Sequence, residues 1–373
     1  MDVITIAKSI SLLIKPASGS CNVNCSYCFY KDLEIGGDVP NKGIMSDSTM
    51  RKIIDNVFID LNKGDLLEFA FQGGEPTLLG IDFYKKFIDY VKTINKSNIE
   101  LSYSLQTNGI LIDEAWCRFF RANNFLIGLS LDGPAHINDR YRLDYDGKGI
   151  YNQIMNAKNM FDKYCVEYNI LSVLTNELAR RPKEMWDFIK KENIEYIQFI
   201  PCLDDINQRS NSEYALTPEN FAYFYKVVFG LWKESLYNGD YYSIGLIDKL
   251  ISFLAGQAQG SCSIRGTCNP QYVVEADGSV YPCDFYVLEK YNSGNMNEDS
   301  IREIFYNEAM QEFLSNKKDI SNYCRKCKYF SICNGGCKRL EKAVYLNDSE
   351  TFCGYKNFLD NTIRDILYIA KII

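Results

Sequence analysis

Over residues 1–235 the apolar positions alternate between two periods. Short runs that are continuous or alternate every second residue read as β-strands: SLLIK (11–15), LLEFAFQ (66–72), IELSYSLQT (99–107), FLIGLSL (125–131), VEYNILSVLT (166–175) and YIQFIP (196–201). Between them the spacing turns helical. Met50, Ile53, Ile54, Val57 and Leu61 share one face of a helix over 47–62, for which Ser46 or Asp47 would be the cap. Segments 81–95, 113–122, 150–164 and 182–193 have the same texture. Strands alternating with helices predict an α/β fold with a parallel sheet and βαβ crossovers. Six such units make a partial, TIM-like (β/α)6 barrel, because closure needs about eight.

Residues 217–256 read as two helices, and 236–256 as a bridge. From 257 to 373 glycine and cysteine become frequent and the strands short. DGS at 277–279 predicts a hairpin turn between QYVVEA and VYPCDFY, and 355–371 a closing amphipathic helix. A unit with so little apolar sequence needs cross-links, which bound metal can supply.

Composition narrows the chemistry. The chain has 373 residues, 46% of them apolar, and 41 basic against 48 acidic side chains, a net −7 that argues against nucleic acid as a partner. A single histidine, His136, excludes two-histidine metal sites and most histidine-based proton transfer. No signal segment and no run of about 18 apolar residues is visible, so no membrane association and a cytoplasmic location are expected. Fourteen cysteines in a reducing compartment then call for a role other than disulfides.

Cys21, Cys25 and Cys28 form C-x3-C-x2-C in the loop after the first strand, with Tyr27 before the last cysteine. Three thiolates can hold three corners of a cubane cluster and leave the fourth iron open. GGEP (73–76) follows the second strand, with glycines that admit a ligand close to the backbone, and SLDGP (130–134) follows the fourth. These motifs resemble the radical S-adenosylmethionine (SAM) superfamily. The resemblance implies that SAM chelates the open iron and is cleaved to a 5′-deoxyadenosyl radical, and that Tyr27, Gly73, Gly74, Glu75, Ser130, Arg142 and Leu203 line its pocket. Glu75 would accept from the SAM ammonium. The superfamily's His-Asp-x-x-Arg pattern is altered here to Asn138-Asp139-Arg140-Tyr141-Arg142, which leaves His136 as a surface or packing residue.

Cys262, Cys268, Cys283, Cys324, Cys327, Cys333, Cys337 and Cys353 could ligate two further cubanes, four thiols to each, although spacing alone does not fix the partition. The run resembles the SPASM domain. That resemblance implies Cys262, Cys268, Cys283 and Cys337 for a nearer [4Fe–4S] cluster and Cys324, Cys327, Cys333 and Cys353 for an outer one. Eleven thiolates and three oxidised cores would move the formal charge from −7 to about −12. Cys117, Cys165 and Cys202 remain and read as core thiols, with Cys202 beside the inferred SAM pocket.

SLLIKPASGSCN, NCSYCFY, FAFQGGEPTL, SLQTNG, GLSLDGP and QYVVEADGSVYPCDFYVL together resemble anaerobic sulfatase-maturating enzymes. The resemblance implies oxidation of a cysteine or serine in a sulfatase Cys/Ser-x-Pro-x-Arg segment to Cα-formylglycine. The radical would take a Cβ hydrogen, and Asp284, next to Cys283, would accept the substrate's proton. Tyr30 and Gln72 would contact substrate, and a flavodoxin or ferredoxin would give electrons. The rival readings are a SPASM enzyme that cross-links a ribosomal peptide, a non-enzymatic iron–sulfur electron carrier, and a zinc-bound scaffold. Only twenty residues precede Cys21, too few for a leader-recognition domain; GGEP, SLDGP and the six βα units argue against a carrier.

Overall fold

The structure is a computed structural model and describes residues 8–30, 41–204, 206, 212–257, 261–316 and 318–372. The six sequence-expected strands form as β1 (Ser9–Ile14), β2 (Leu66–Phe71), β3 (Glu100–Thr107), β4 (Phe125–Ser130), β5 (Tyr168–Leu174) and β6 (Tyr196–Pro201), paired in parallel in that order. Helices α1 (Asp47–Ile59), α2 (Ile81–Ile94), α3 (Glu114–Ala122), α4 (Tyr151–Tyr164) and α5 (Pro182–Lys191) carry the chain between strands. Ser46, not Asp47, caps α1, its hydroxyl accepting from the Thr49 N–H at 3.0 Å.

Alternation along β2 divides the sheet's two faces. Leu67, Phe69 and Phe71 are buried under the helices, whereas Glu68 and Gln72 are part-buried on the other face. The helix-side core is aromatic. Phe71 meets Tyr84 edge-on at 5.1 Å and Phe87 at 5.0 Å, and Phe120 packs on Trp116 at 5.3 Å and Phe125 at 5.5 Å. Cys117 belongs to this core. Cys165 does not: it is exposed, because it ends α4 in a left-handed turn (φ +52°) that carries its side chain away from the helix's buried face. His136 is 55% exposed and pairs with Glu184 at 3.0 Å.

The sheet does not stop at six strands. β7 (Ser243–Ile244), from the expected bridge, pairs in parallel with β6. β8 (Val273–Val274) pairs in parallel with the free side of β1, Ile14 opposite Val274, and returns through the expected DGS hairpin to β9 (Val280–Tyr281). The cysteine-rich segment therefore extends the barrel sheet. At the other edge α6 (Pro218–Tyr237) packs against the closing helix α7 (Gly354–Ile372) through Tyr225 on Phe358 at 5.7 Å and Lys233 on Asp365 at 2.7 Å. Because β1 to β6 run in parallel, the loops after them open at one end of the sheet.

Truncating Phe120, which is fully buried, leaves a void in this core. Phe120→Ala is expected to lower stability by about 3–5 kcal/mol, read as a reduced denaturation midpoint with a barely changed far-ultraviolet spectrum.

Candidate active site at the strand ends

The loops at the strand C-terminal ends enclose a cavity of about 780 Å³. Cys21, Cys25 and Cys28 all line it. Their loop is pinned from outside, with Asn24 N–H donating to Leu143 O at 2.7 Å, Ser26 N–H to Tyr141 O at 2.9 Å, and Tyr145 Oη to Cys21 O at 3.1 Å. Asn108 Nδ2 lies 3.8 Å from Cys21 Sγ, and Arg142 Nη1 lies 4.0 Å from Cys25 Sγ. Burial, with the charge of Glu75 behind it, pushes the Cys21 thiol up to about 12, so a thiolate there needs a strong positive partner. Among the described residues no three His, Cys, Asp or Glu side chains gather closely enough for one metal ion. Soft donors set around a space, with nitrogen donors aimed at sulfur, fit an iron–sulfur core.

Tyr27, Gly73, Gly74, Glu75, Ser130, Arg142 and Leu203 line the same cavity. Gly74 has to be glycine: at φ +43° a Cβ would stand 2.1 Å from Ser20 O. At Gly73 (φ +82°) a Cβ would stand 2.6 Å from Cε of Lys15, so this glycine makes room for a lysine of the chain itself. Glu75 is committed to its neighbours. Its Oε1 accepts from Thr77 N–H (3.0 Å), Thr77 Oγ1 (2.6 Å) and Thr107 Oγ1 (2.8 Å), and its Oε2 from Asn108 N–H (2.8 Å). Burial raises this carboxyl against the pull of those donors.

Sequence reasoning passed over Asp132, which organises the far wall. Its carboxylate accepts from Tyr27 Oη, from Arg142 Nε at 2.9 Å and from Val173 N–H at 2.8 Å. The SLDGP motif contained it; nothing in the spacing distinguished it from a turn aspartate. Cys202 also lines the cavity, as its position after β6 suggested.

Asp284 reaches the cavity from the segment after β9. Tyr30 Oη donates to its Oδ2 at 2.8 Å, Gln72 Nε2 donates to the same oxygen at 2.9 Å, and Gln72 also donates to Tyr30 Oη at 3.0 Å. Its Oδ1 is buried and has no hydrogen-bond partner among the described residues. Burial pushes the carboxyl up, while Lys15, Tyr30 and Gln72 pull it down. Tyr30, Gln72 and Asp284, on three separate segments, thus form one hydrogen-bonded set.

The other thiols divide in two. Burial raises Cys262, Cys268 and Cys283, and the charge of Cys337 bears on all three. Cys324, Cys327, Cys333 and Cys353 surround a separate small pocket, where burial pushes Cys353 up to about 12. The Tyr345 ring stands between the groups, against Gly336, with its hydroxyl on Ser263 O at 2.5 Å. Two four-thiol sets fit two fully ligated cubanes.

A three-thiol loop at the mouth of a parallel α/β sheet, joined to eight thiols in two sets, defines a radical SAM enzyme with a C-terminal iron–sulfur unit. Residues 16–189 match the Radical SAM superfamily and residues 266–328 the SPASM iron–sulfur cluster-binding domain. The chain is 41% identical over 368 residues to the cysteine-type anaerobic sulfatase-maturating enzyme of Clostridium novyi (strain NT), covering 98% of each. It is 29% identical to the serine-type enzyme of Bacteroides thetaiotaomicron, over 89% of this chain and 83% of that one. The solved structure of native anSMEcpe with bound AdoMet matches at a TM-score of 0.90 and 38% identity, covering 98% of this chain and 100% of the other. The chain belongs to the anaerobic sulfatase-maturating enzymes.

Replacing Cys324 and Cys353 together by alanine is expected to lower bound iron after anaerobic reconstitution from about twelve to about eight atoms per chain. Loss of all iron above about four would show that the two thiol sets do not load independently.

Proposed function

We propose that this chain oxidises a cysteine in a sulfatase Cys-x-Pro-x-Arg segment to Cα-formylglycine. The observation that carries the reading is the Asp284 carboxylate, fixed by Tyr30 and Gln72 through Oδ2 while its buried Oδ1 has no partner among the described residues, on a residue that lines the same cavity as the three loop thiols. Cysteine is preferred to serine as substrate because the cysteine-type relative shares 41% of residues and the serine-type relative 29%. A complex of native anSMEcpe with AdoMet and the Kp18Cys peptide, at a TM-score of 0.89 and 38% identity, supports a peptide substrate.

Cys21, Cys25 and Cys28 hold the SAM-binding cluster. Cys262, Cys268, Cys283 and Cys337 hold a nearer auxiliary cluster, and Cys324, Cys327, Cys333 and Cys353 an outer one. When bound, these groups supply a radical able to take a Cβ hydrogen and a means of carrying away one further electron. Tyr27, Gly73, Gly74, Ser130, Arg142 and Leu203 shape the SAM pocket, and Glu75 keeps the ends of β2 and β3 in register beside it. Asp284 Oδ1 accepts the thiol proton, and its two neutral donors hold the carboxylate without neutralising it. With the Cβ hydrogen, the proton and the second electron gone, the substrate is a thioaldehyde, which water converts to the aldehyde with release of sulfide. A flavodoxin or ferredoxin is the electron donor. All fourteen cysteines are free of disulfides, which supports work in the reducing cytoplasm, and no helix among the described residues is long and apolar enough to cross a membrane.

Asp284→Asn, which cannot accept the proton but preserves shape, is expected to keep SAM cleavage and to lower formylglycine yield by about 10²-fold or more. Peptide mass spectrometry and counting of 5′-deoxyadenosine check this; wild-type yield would remove Asp284 as the base. Cys21→Ala is expected to abolish reductive SAM cleavage outright, and undiminished cleavage would contradict the assignment of the loop thiols.

A further inference from the structure

Two buried residues beside the site take no part in the chemistry above. Lys15 follows β1 and Glu275 follows β8; they are 3% and 1% exposed. The register that sets Ile14 opposite Val274 makes them the next facing pair, and Lys15 N–H donates to Val274 O at 2.8 Å. Their side chains form an ion pair between Nζ and Oε1. Charged groups this deeply buried cost free energy unless each has its partner.

The pair is wedged against the catalytic set. The stem of Lys15 runs across Gly73, where any Cβ would collide with it. Its Nζ stands 4.6 Å from the centre of the Tyr30 ring, and that tyrosine's hydroxyl donates to Asp284. One cation thus faces two buried carboxylates, and the carboxylate that holds it is the one outside the cavity lining. A cation bonded to Asp284 would occupy the acceptor that the substrate proton needs.

We propose that Glu275 is a positioning residue that holds Lys15 off Asp284, leaving Oδ1 of the aspartate bare for the substrate. The inference rests on the proposed role of Asp284 and adds a competition to it: remove Glu275, and Lys15 turns to Asp284, the buried carboxylate bonded to the Tyr30 on whose ring Lys15 sits.

The test compares three reconstituted holoenzymes on a Cys-x-Pro-x-Arg peptide, with formylglycine formed per 5′-deoxyadenosine released as the readout. Glu275→Gln is expected to cleave SAM as wild type does and to lose about tenfold or more in that ratio. The double variant Lys15→Met with Glu275→Gln, which has no cation to redirect, is expected to regain most of the loss. A role in stability alone would lower the denaturation midpoint of the single variant and restore it in the double one, with the ratio unchanged in both. A crystal structure of Glu275→Gln should show Lys15 Nζ hydrogen-bonded to Asp284. If Glu275→Gln does not accumulate as folded protein, Glu275→Asp, one methylene short of Lys15, replaces it with the same expected order. A wild-type ratio in the single variant, or a double variant that is no better, overturns the inference. Wild-type enzyme run alongside separates the two levels. If it makes no formylglycine, the proposed function and this inference fall together. If it does and Glu275→Gln keeps pace, only the inference falls.

Discussion

The pairing of β8 with β1 is the interaction on which the site depends. Only two residues of β8 lie on β1, Leu13 opposite Val273 and Ile14 opposite Val274. Those two steps bring residues about 260 positions apart in the chain to one edge of the barrel mouth. They fix the turn through Gly278 (φ +88°) and the return strand β9, and so the place where Cys283 and Asp284 emerge. Without that register Asp284 would have neither Tyr30 nor Gln72 as donor. The expected boundary at residue 257 marks a change of composition, yet the hydrogen-bonded sheet passes straight across it.

Around the mouth, buried charge is handled by a small number of hubs. Glu75 ties the second and third strand ends together, Asp132 fixes Tyr27, Arg142 and the fifth strand, and Glu275 holds Lys15. Glu75 and Asp132 each draw donors from different segments, so the loops that carry thiols and polar groups are braced by rigid strands. Asp284 differs from Glu75 and Asp132, and shares with Glu275 one buried oxygen that has no partner among the described residues. It has two neutral donors on one oxygen and none among the described residues on the other. An unsatisfied buried oxygen costs free energy, and its persistence at the end of a cavity marks a place where a ligand completes the bonding.

Much of this was legible in the sequence, for identifiable reasons. The six strands and five helices rest on hydrophobic period, which the packed sheet enforces residue by residue. The cysteine sets rest on spacing that cluster geometry constrains. Single polar residues carry no such repetition. Asp132, Asn108 and the Lys15–Glu275 pair became visible only once strand register placed them, since an ion pair across 260 positions leaves no local trace. Gly73 and Gly74 line the cavity, and there the backbone conformation also makes room for the chain's own Lys15 and Ser20, which no spacing predicts. The helical neighbourhood of Cys165 predicts a core thiol, but the left-handed turn that ends its helix leaves it exposed.

The central claim is that the three-thiol loop and Asp284 act on one substrate residue in one cavity. Incubating the reconstituted wild-type chain with SAM, a one-electron reductant and matched Cys-x-Pro-x-Arg and Ser-x-Pro-x-Arg peptides tests it most directly, with the products read by mass. The expected result is the mass change for replacing the cysteine's thiol and a hydrogen by a carbonyl oxygen, in step with 5′-deoxyadenosine and sulfide, and slower conversion of the serine peptide. Steady release of 5′-deoxyadenosine with both peptides unchanged would contradict the claim.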